Sequence, residues 1–228
     1  MDLFSSITTA VSLTLQGVLL LFLLRHLSRN YFIVFLYSLA YLVTNLVETV
    51  VRRQFGKASP LYARVYWTDE IILDLLLFLM VILLTYQATE GSVLRGPVGK
   101  MLLVVVMIAM ALPFVFGSRP YFTNRWFDFA SQILNFGGAV MNLGLWTALI
   151  GSKQKDAQLL AVSAGVGIAV TGQALYYGLR LLTASPVFLN ISEVINATTL
   201  IAGFAIWCWA FWPRERRHSG QPRVATNP

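Results

Sequence analysis

The chain has 228 residues, of which 57% are hydrophobic and only 12% charged, with a formal net charge of +7 and a single cysteine. A soluble domain carries about 25% charged residues, so this chain has more apolar surface than a soluble core of its length hides. Disordered, collagen-like and disulfide-built classes are excluded by the same figures, which leaves an all-α polytopic membrane protein.

Crossing the hydrocarbon takes about 20 apolar residues per helix. The first such run, about 6–25, follows Met1-Asp2-Leu3-Phe4-Ser5-Ser6. That leader has an acid and no Lys or Arg, so the run is a retained span and not a secretory signal. Further runs lie at about 31–51, 66–87, 101–117, 126–150, 157–182 and 192–212. Seven spans predict a seven-transmembrane-helix bundle. Continuous apolar stretches such as Leu19-Leu20-Leu21-Phe22-Leu23-Leu24 argue against a barrel, whose strands alternate. Pro113, near the end of span four, is expected to kink it. Spans five and six hold many small residues, including Gly137, Gly138, Gly144, Gly165, Gly167 and Gly172, and are expected at helix contacts within the bundle or between copies. Residues 213–228 form a basic polar tail, expected to be disordered.

Lys and Arg set orientation. With the N-terminus outside, ten lie on the cytoplasmic side and seven outside, the cluster Arg214, Arg216, Arg217 giving the bias its weight. This predicts N-out and C-in, in a cell (inner or plasma) membrane. Tyr66, Trp67, Tyr121, Trp126, Tyr176 and Tyr177 are expected to form an aromatic belt at the outer interface. The positive balance flanks the spans and addresses lipid headgroups, so nucleic acid is not an expected partner.

The polar residues inside the spans are the functional signal, because a carboxyl within hydrocarbon is costly unless paired, protonated or wetted. Seven of the ten acids fall outside or in the outer half of the spans in this orientation. Helical spacing lines them up: Tyr41, Asn45, Glu48 and Arg52 on span two, Trp67, Glu70 and Asp74 on span three, Asp128, Ser131, Gln132, Asn135 and Asn142 on span five. Gln173, Tyr177 and Arg180 share a face on span six, Glu193 and Asn196 on span seven, and Thr9, Ser12 and Gln16 on span one. Turned inward, these stripes predict an outward-opening polar cavity. Asp74 is the expected centre, with Glu70, Glu48, Asn45, Asn135 and Gln173 as supporting polar groups and Arg52 and Arg180 as counter-charges. A local alternative for Glu48 and Arg52 is mutual neutralisation at i, i+4.

Other chemistry is excluded by what is missing. With two His, both near or beyond span ends, and one Cys, neither bis-histidine haem nor a zinc or redox site is expected, and no cofactor, metal or catalytic residue is assigned. The stretch from Arg64 through Trp67 and Asp69 to Asp74 is faintly similar to the third helix of retinal proteins, but span seven has no Lys to carry a Schiff base. Expected partners are the bilayer, a small-molecule or ion ligand, and a cytoplasmic protein or a second copy. The functional expectation is a sensor or receptor-like module for a small polar or cationic ligand or protons. The alternatives are a small-solute or proton-coupled transporter, or a membrane-embedded lipid-modifying enzyme.

Overall fold

The computed structural model describes residues 2–25, 31–56, 58–90, 95–117, 119–151, 156–182 and 185–212. They form α1 (Asp2–Arg25), α2 (Phe32–Phe55), α3 (Pro60–Ala88), α4 (Arg95–Phe116), α5 (Asn124–Gly151), α6 (Ala157–Leu182) and α7 (Pro186–Ala210). All seven helices are long and apolar enough to cross a membrane, the pattern of a multi-pass membrane protein. The expected tail at 213–228 lies outside the described residues.

The helices overrun the apolar stretches that mark them. α3 starts at Pro60 instead of 66, α7 at Pro186 instead of 192, and α4 at Arg95 instead of 101. Hydropathy registers only the lipid-compatible part of a helix, whereas capping decides where it begins. The Ser59 hydroxyl accepts from the backbone N–H of Leu61 and Tyr62 at 3.2 and 3.4 Å, and Pro60 follows at the first helical position, where no N–H is needed. Ser185-Pro186 repeats the pair at the start of α7. Asp156 caps α6 by accepting from Gln158 and Leu159 N–H at 2.9 and 3.0 Å.

Six helices close a ring. α1 packs on α2, α2 on α3, α3 on α5, α5 on α6, α6 on α7 and α7 back on α1, while α3 and α6 also touch across the middle. α4 stands outside the ring against α3 and α5, fastened by Leu102 and Ala109 to Phe78, Ile82 and Leu134. Chain direction alternates, so α1, α3, α5 and α7 begin at one end, the upper end, where α2, α4 and α6 finish. The lower half of the ring is filled by apolar side chains, among them Leu77, Met80, Leu84, Val166, Phe204 and Trp207.

Close seams explain the small residues. A Cβ placed on Gly165 or on Gly203 would lie 3.0 Å from the other's carbonyl oxygen, and one on Gly172 would collide with Thr199. Trp207 fills the remaining space on this α6–α7 seam and donates its indole N–H to the Val162 carbonyl at 3.0 Å. Gly165 and Gly172 thus serve packing inside the bundle. On the seam that closes the ring, the Cys208 thiol of α7 meets the Leu15 carbonyl of α1 at 3.3 Å. At the turn between α4 and α5, the Pro113 carbonyl accepts from both Gly117 N–H and the Trp126 indole, each at 3.0 Å.

The aromatic residues expected as an outer belt are divided. Trp67, Trp126, Tyr176 and Tyr177 are buried, whereas Tyr66 and Tyr121 are half-buried. Position along a helix gives depth, but the face on which a ring lies decides between lipid and interior.

Candidate functional site

A polar cavity of about 290 Å³ occupies the upper half of the ring. α1 contributes Thr8, Thr9 and Ser12, α2 Tyr41 and Asn45, α3 Tyr66 and Glu70, α6 Tyr176, and α7 Glu193 and Asn196. A smaller chamber of about 50 Å³ shares Tyr41, Asn45, Tyr66, Glu70 and Asn196 with it and adds Thr44, Glu48, Asp69 and Gln173. Glu70 is ten residues into α3, about 15 Å below its start at 1.5 Å per residue. The hollow therefore lies at a depth where each helix is flanked on its outer face by exposed apolar side chains such as Leu46, Val47 and Ile72.

Tyrosines hold the cavity carboxylates. Tyr177 of α6 donates to the Glu70 carboxylate at 2.5 Å, and Tyr62, two turns above Glu70 on α3, donates to Glu48 of α2 at 2.6 Å. The Asn45 amide turns back to the Tyr41 carbonyl at 2.8 Å. Tyr66 and Tyr176 bring their hydroxyls to 3.4 Å across the cavity wall. Each of these cross-helix bonds ties α3 to a neighbour at the height of the hollow. Three buried acceptor oxygens among the lining residues, on Asp69, Gln173 and Asn196, have no hydrogen-bond partner among the described residues.

Asp74 lies elsewhere. It is buried in the seam between α3 and α5, where its carboxylate accepts from the Asn135 amide at 2.7 Å. The same amide also donates to the Ser131 carbonyl at 3.0 Å. Neither Asp74 nor Asn135 lines a chamber of the cavity. Four residues and one helical turn separate Asp74 from Glu70, and that step carries it about 6 Å deeper and about 40° around α3.

The two arginines are also accounted for differently from their expected role. Arg180 pairs with Asp128 of α5 at 3.2 Å, donates to the Tyr176 hydroxyl, and lies over the rings of Trp67 and Tyr176 at 5.5 and 5.1 Å. Trp67 in turn stacks on Phe127 at 5.4 Å with 10° between planes. This cluster seals the upper end between α3, α5 and α6. Arg52 is exposed near the end of α2 and forms no ion pair among the described residues. The nearer partner of Glu48 is Tyr62, so the local i, i+4 neutralisation of Glu48 by Arg52 is not the arrangement found.

Of the expected ligand residues, the structure thus brings Glu70, Glu48, Asn45 and Gln173 to one cavity. It places Asp74 and Asn135 in a helix seam and Arg180 and Arg52 outside the lining. Sequence reasoning missed the tyrosines as carboxylate partners and Asp69 as a lining group. A signal for the former was present: Tyr62, Tyr66 and Glu70 recur every four residues on α3, one stripe of phenols leading to an acid.

No known protein family, curated protein or solved structure matches the chain. Seven helices long and apolar enough to span suggest a multi-pass membrane protein, and only the site speaks to its function.

Proposed function

We propose that the chain is a sensor or receptor-like module of the cell membrane that binds a small polar or cationic solute in the upper cavity. The upper end is extracytoplasmic in this reading, with the N-terminus outside and the C-terminus in the cytoplasm, as the Lys/Arg balance favours. The supporting observation is that five ring helices contribute polar side chains to one hollow, with Glu70 tied through Tyr177 to α6. A solute that bridges these walls binds one arrangement of the ring better than another, and differential affinity is what shifts a conformational equilibrium. Below the hollow the packing is mostly apolar, from Leu77 to Trp207, with Ser38, Asn142 and Ser163 as scattered buried polar side chains among the described residues, which favours a sensor over a transporter. In this reading the helix displacement is relayed to a cytoplasmic protein or to a second copy.

The test uses purified protein in lipid nanodiscs and thermal unfolding with small amines, amino acids, carboxylates and sugars at millimolar concentration. At least one solute is expected to raise the Tm, because a ligand that binds the folded state stabilises it by mass action. Glu70→Gln should abolish the rise without lowering the Tm of the free protein by a similar amount. The reading is lost when no solute stabilises the wild type, or when Glu70→Gln responds as the wild type does. Accumulation of the stabilising solute in proteoliposomes would replace the sensor by a transporter.

A further inference from the structure

We propose that the cavity selects a small protonated primary amine, an inference that rests on the cavity being a solute site and goes on to name the chemistry of the solute. Charge comes first. Glu48, Asp69, Glu70 and Glu193 line the two chambers, and no Lys or Arg does so among the described residues. The base whose side chain comes to the wall, Arg180 through the Tyr176 hydroxyl, is matched by Asp128. Acidic groups gathered around a hollow without a base favour a cation within it.

The hydrogen-bonding capacity of the wall then discriminates among cations. Gln173, 4% exposed, lines the smaller chamber with its side-chain oxygen unpartnered among the described residues, and the free buried atoms of Asp69 and Asn196 are also oxygens. All three are acceptors. A buried acceptor left unmet costs about 1–3 kcal/mol, so the complementary solute brings several N–H donors on one centre. An ammonium group has three donors and no acceptor. A quaternary ammonium has none and leaves these oxygens unmet.

Size and ring placement complete the description. The main chamber, about 290 Å³, stands near the lower bound of about 300 Å³ for pockets that take drug-sized ligands. Tyr41 and Tyr66 also line it, and an aromatic face attracts an adjacent cation, whereas the Tyr176 ring already carries the Arg180 guanidinium. The smaller chamber with Gln173 takes the ammonium head, and the larger chamber, which also carries Leu13, Ala197, Leu200 and Ile201, takes a short apolar body.

Four solutes with the same short apolar body test this on the nanodisc-held protein by calorimetry: butylamine, butyltrimethylammonium, butanol and butyrate, followed by the same series built on a 2-phenylethyl group. The primary amine of at least one series should bind at least tenfold tighter than its trimethyl, alcohol and carboxylate counterparts. Gln173→Leu should narrow the gap between amine and trimethyl compound, while Glu70→Gln should weaken both cations. Equal or tighter binding of the trimethyl compound, the alcohol or the carboxylate overturns the inference and leaves the solute site standing. Absence of binding by all eight compounds also overturns it, and stabilisation by a different solute in the broader thermal screen would show that the site itself survives. If Gln173→Leu unfolds the protein, Gln173→Met, closer in shape, supplies the same comparison.

Discussion

Asp74 and Glu70 stand one turn apart on α3 yet meet different surroundings, Glu70 a hollow and a tyrosine, Asp74 the amide of Asn135. Asp74→Ala leaves the buried Asn135 amide short of an acceptor and should cost about 1–3 kcal/mol, seen as a lower Tm in nanodiscs. Asp74→Asn keeps an acceptor oxygen and should cost less than half of that. Either change should weaken solute binding less than Glu70→Gln does, because Asp74 stands one turn from Glu70 but lines neither chamber. A loss of binding with an unchanged Tm in Asp74→Asn would return this residue to the centre of the site. Tyr177→Phe removes the donor to Glu70 and should change solute affinity by about tenfold, the effect of about 1.4 kcal/mol, a charged hydrogen bond being worth about 1.5–3 kcal/mol. Calorimetry on the tightest solute reads that change, and an unaltered affinity would show that Tyr177 does not orient Glu70. At this scale the sequence disclosed which faces were polar, through spacings of three and four. It did not disclose the partners: spacing defines a direction from one helix axis, and which neighbour lies in that direction depends on how the helices are arranged around it.

The helices themselves were legible in number and kind, because apolar length is a property of a single segment and needs no neighbour. Their starts were less so. Ser59-Pro60 and Ser185-Pro186 carry the boundary information, but they lie in polar sequence that a hydropathy reading passes over. The small residues of span six pointed to close packing, and the structure adds which of them are committed. A methyl group at Gly165 meets the Trp207 indole and the Gly203 carbonyl, whereas one at Gly144 or Gly17 meets nothing within 4 Å. Gly165→Ala should therefore destabilise the protein by about 1–3 kcal/mol, the usual cost of overpacking. Gly144→Ala and Gly17→Ala should be neutral or stabilising by up to about 1 kcal/mol, since both sit inside helices where glycine carries an entropic penalty. Thermal unfolding of the three variants in nanodiscs checks the contrast. Equal losses at all three positions would mean that α6 and α7 are not held as closely as the glycine contacts require.

At the scale of the whole molecule, the arrangement follows from contacts that no linear reading supplies. α4 lies between α3 and α5 in sequence but outside the ring in space, because α3 and α5 pack directly on each other and leave it only their outer groove. The expectation that consecutive elements are spatial neighbours holds for α3–α4 and α4–α5, and still gives no hint that α4 is dispensable to ring closure. Orientation is a further whole-molecule property. Reporter fusions should place the loops after α2, α4 and α6 outside and those after α1, α3 and α5 in the cytoplasm, as the ten-to-seven Lys/Arg distribution favours. Alkaline phosphatase fused after Phe55 or Phe116 should be active, and green fluorescent protein fused after Trp212 should fluoresce. The inverse pattern would turn the cavity toward the cytoplasm and make any solute it binds an intracellular one.

Ring closure also equips the molecule with an internal reporter. The chain has one thiol, and it sits where the first and last helices meet, under the carbonyl of Leu15. A thiol reagent can reach that sulfur only as fast as those two helices part, so the alkylation rate of the unmodified protein measures breathing along that seam. Since both helices also wall the hollow, an occupant that draws them together should slow the reaction, giving a readout of occupancy that needs neither mutation nor knowledge of what is downstream.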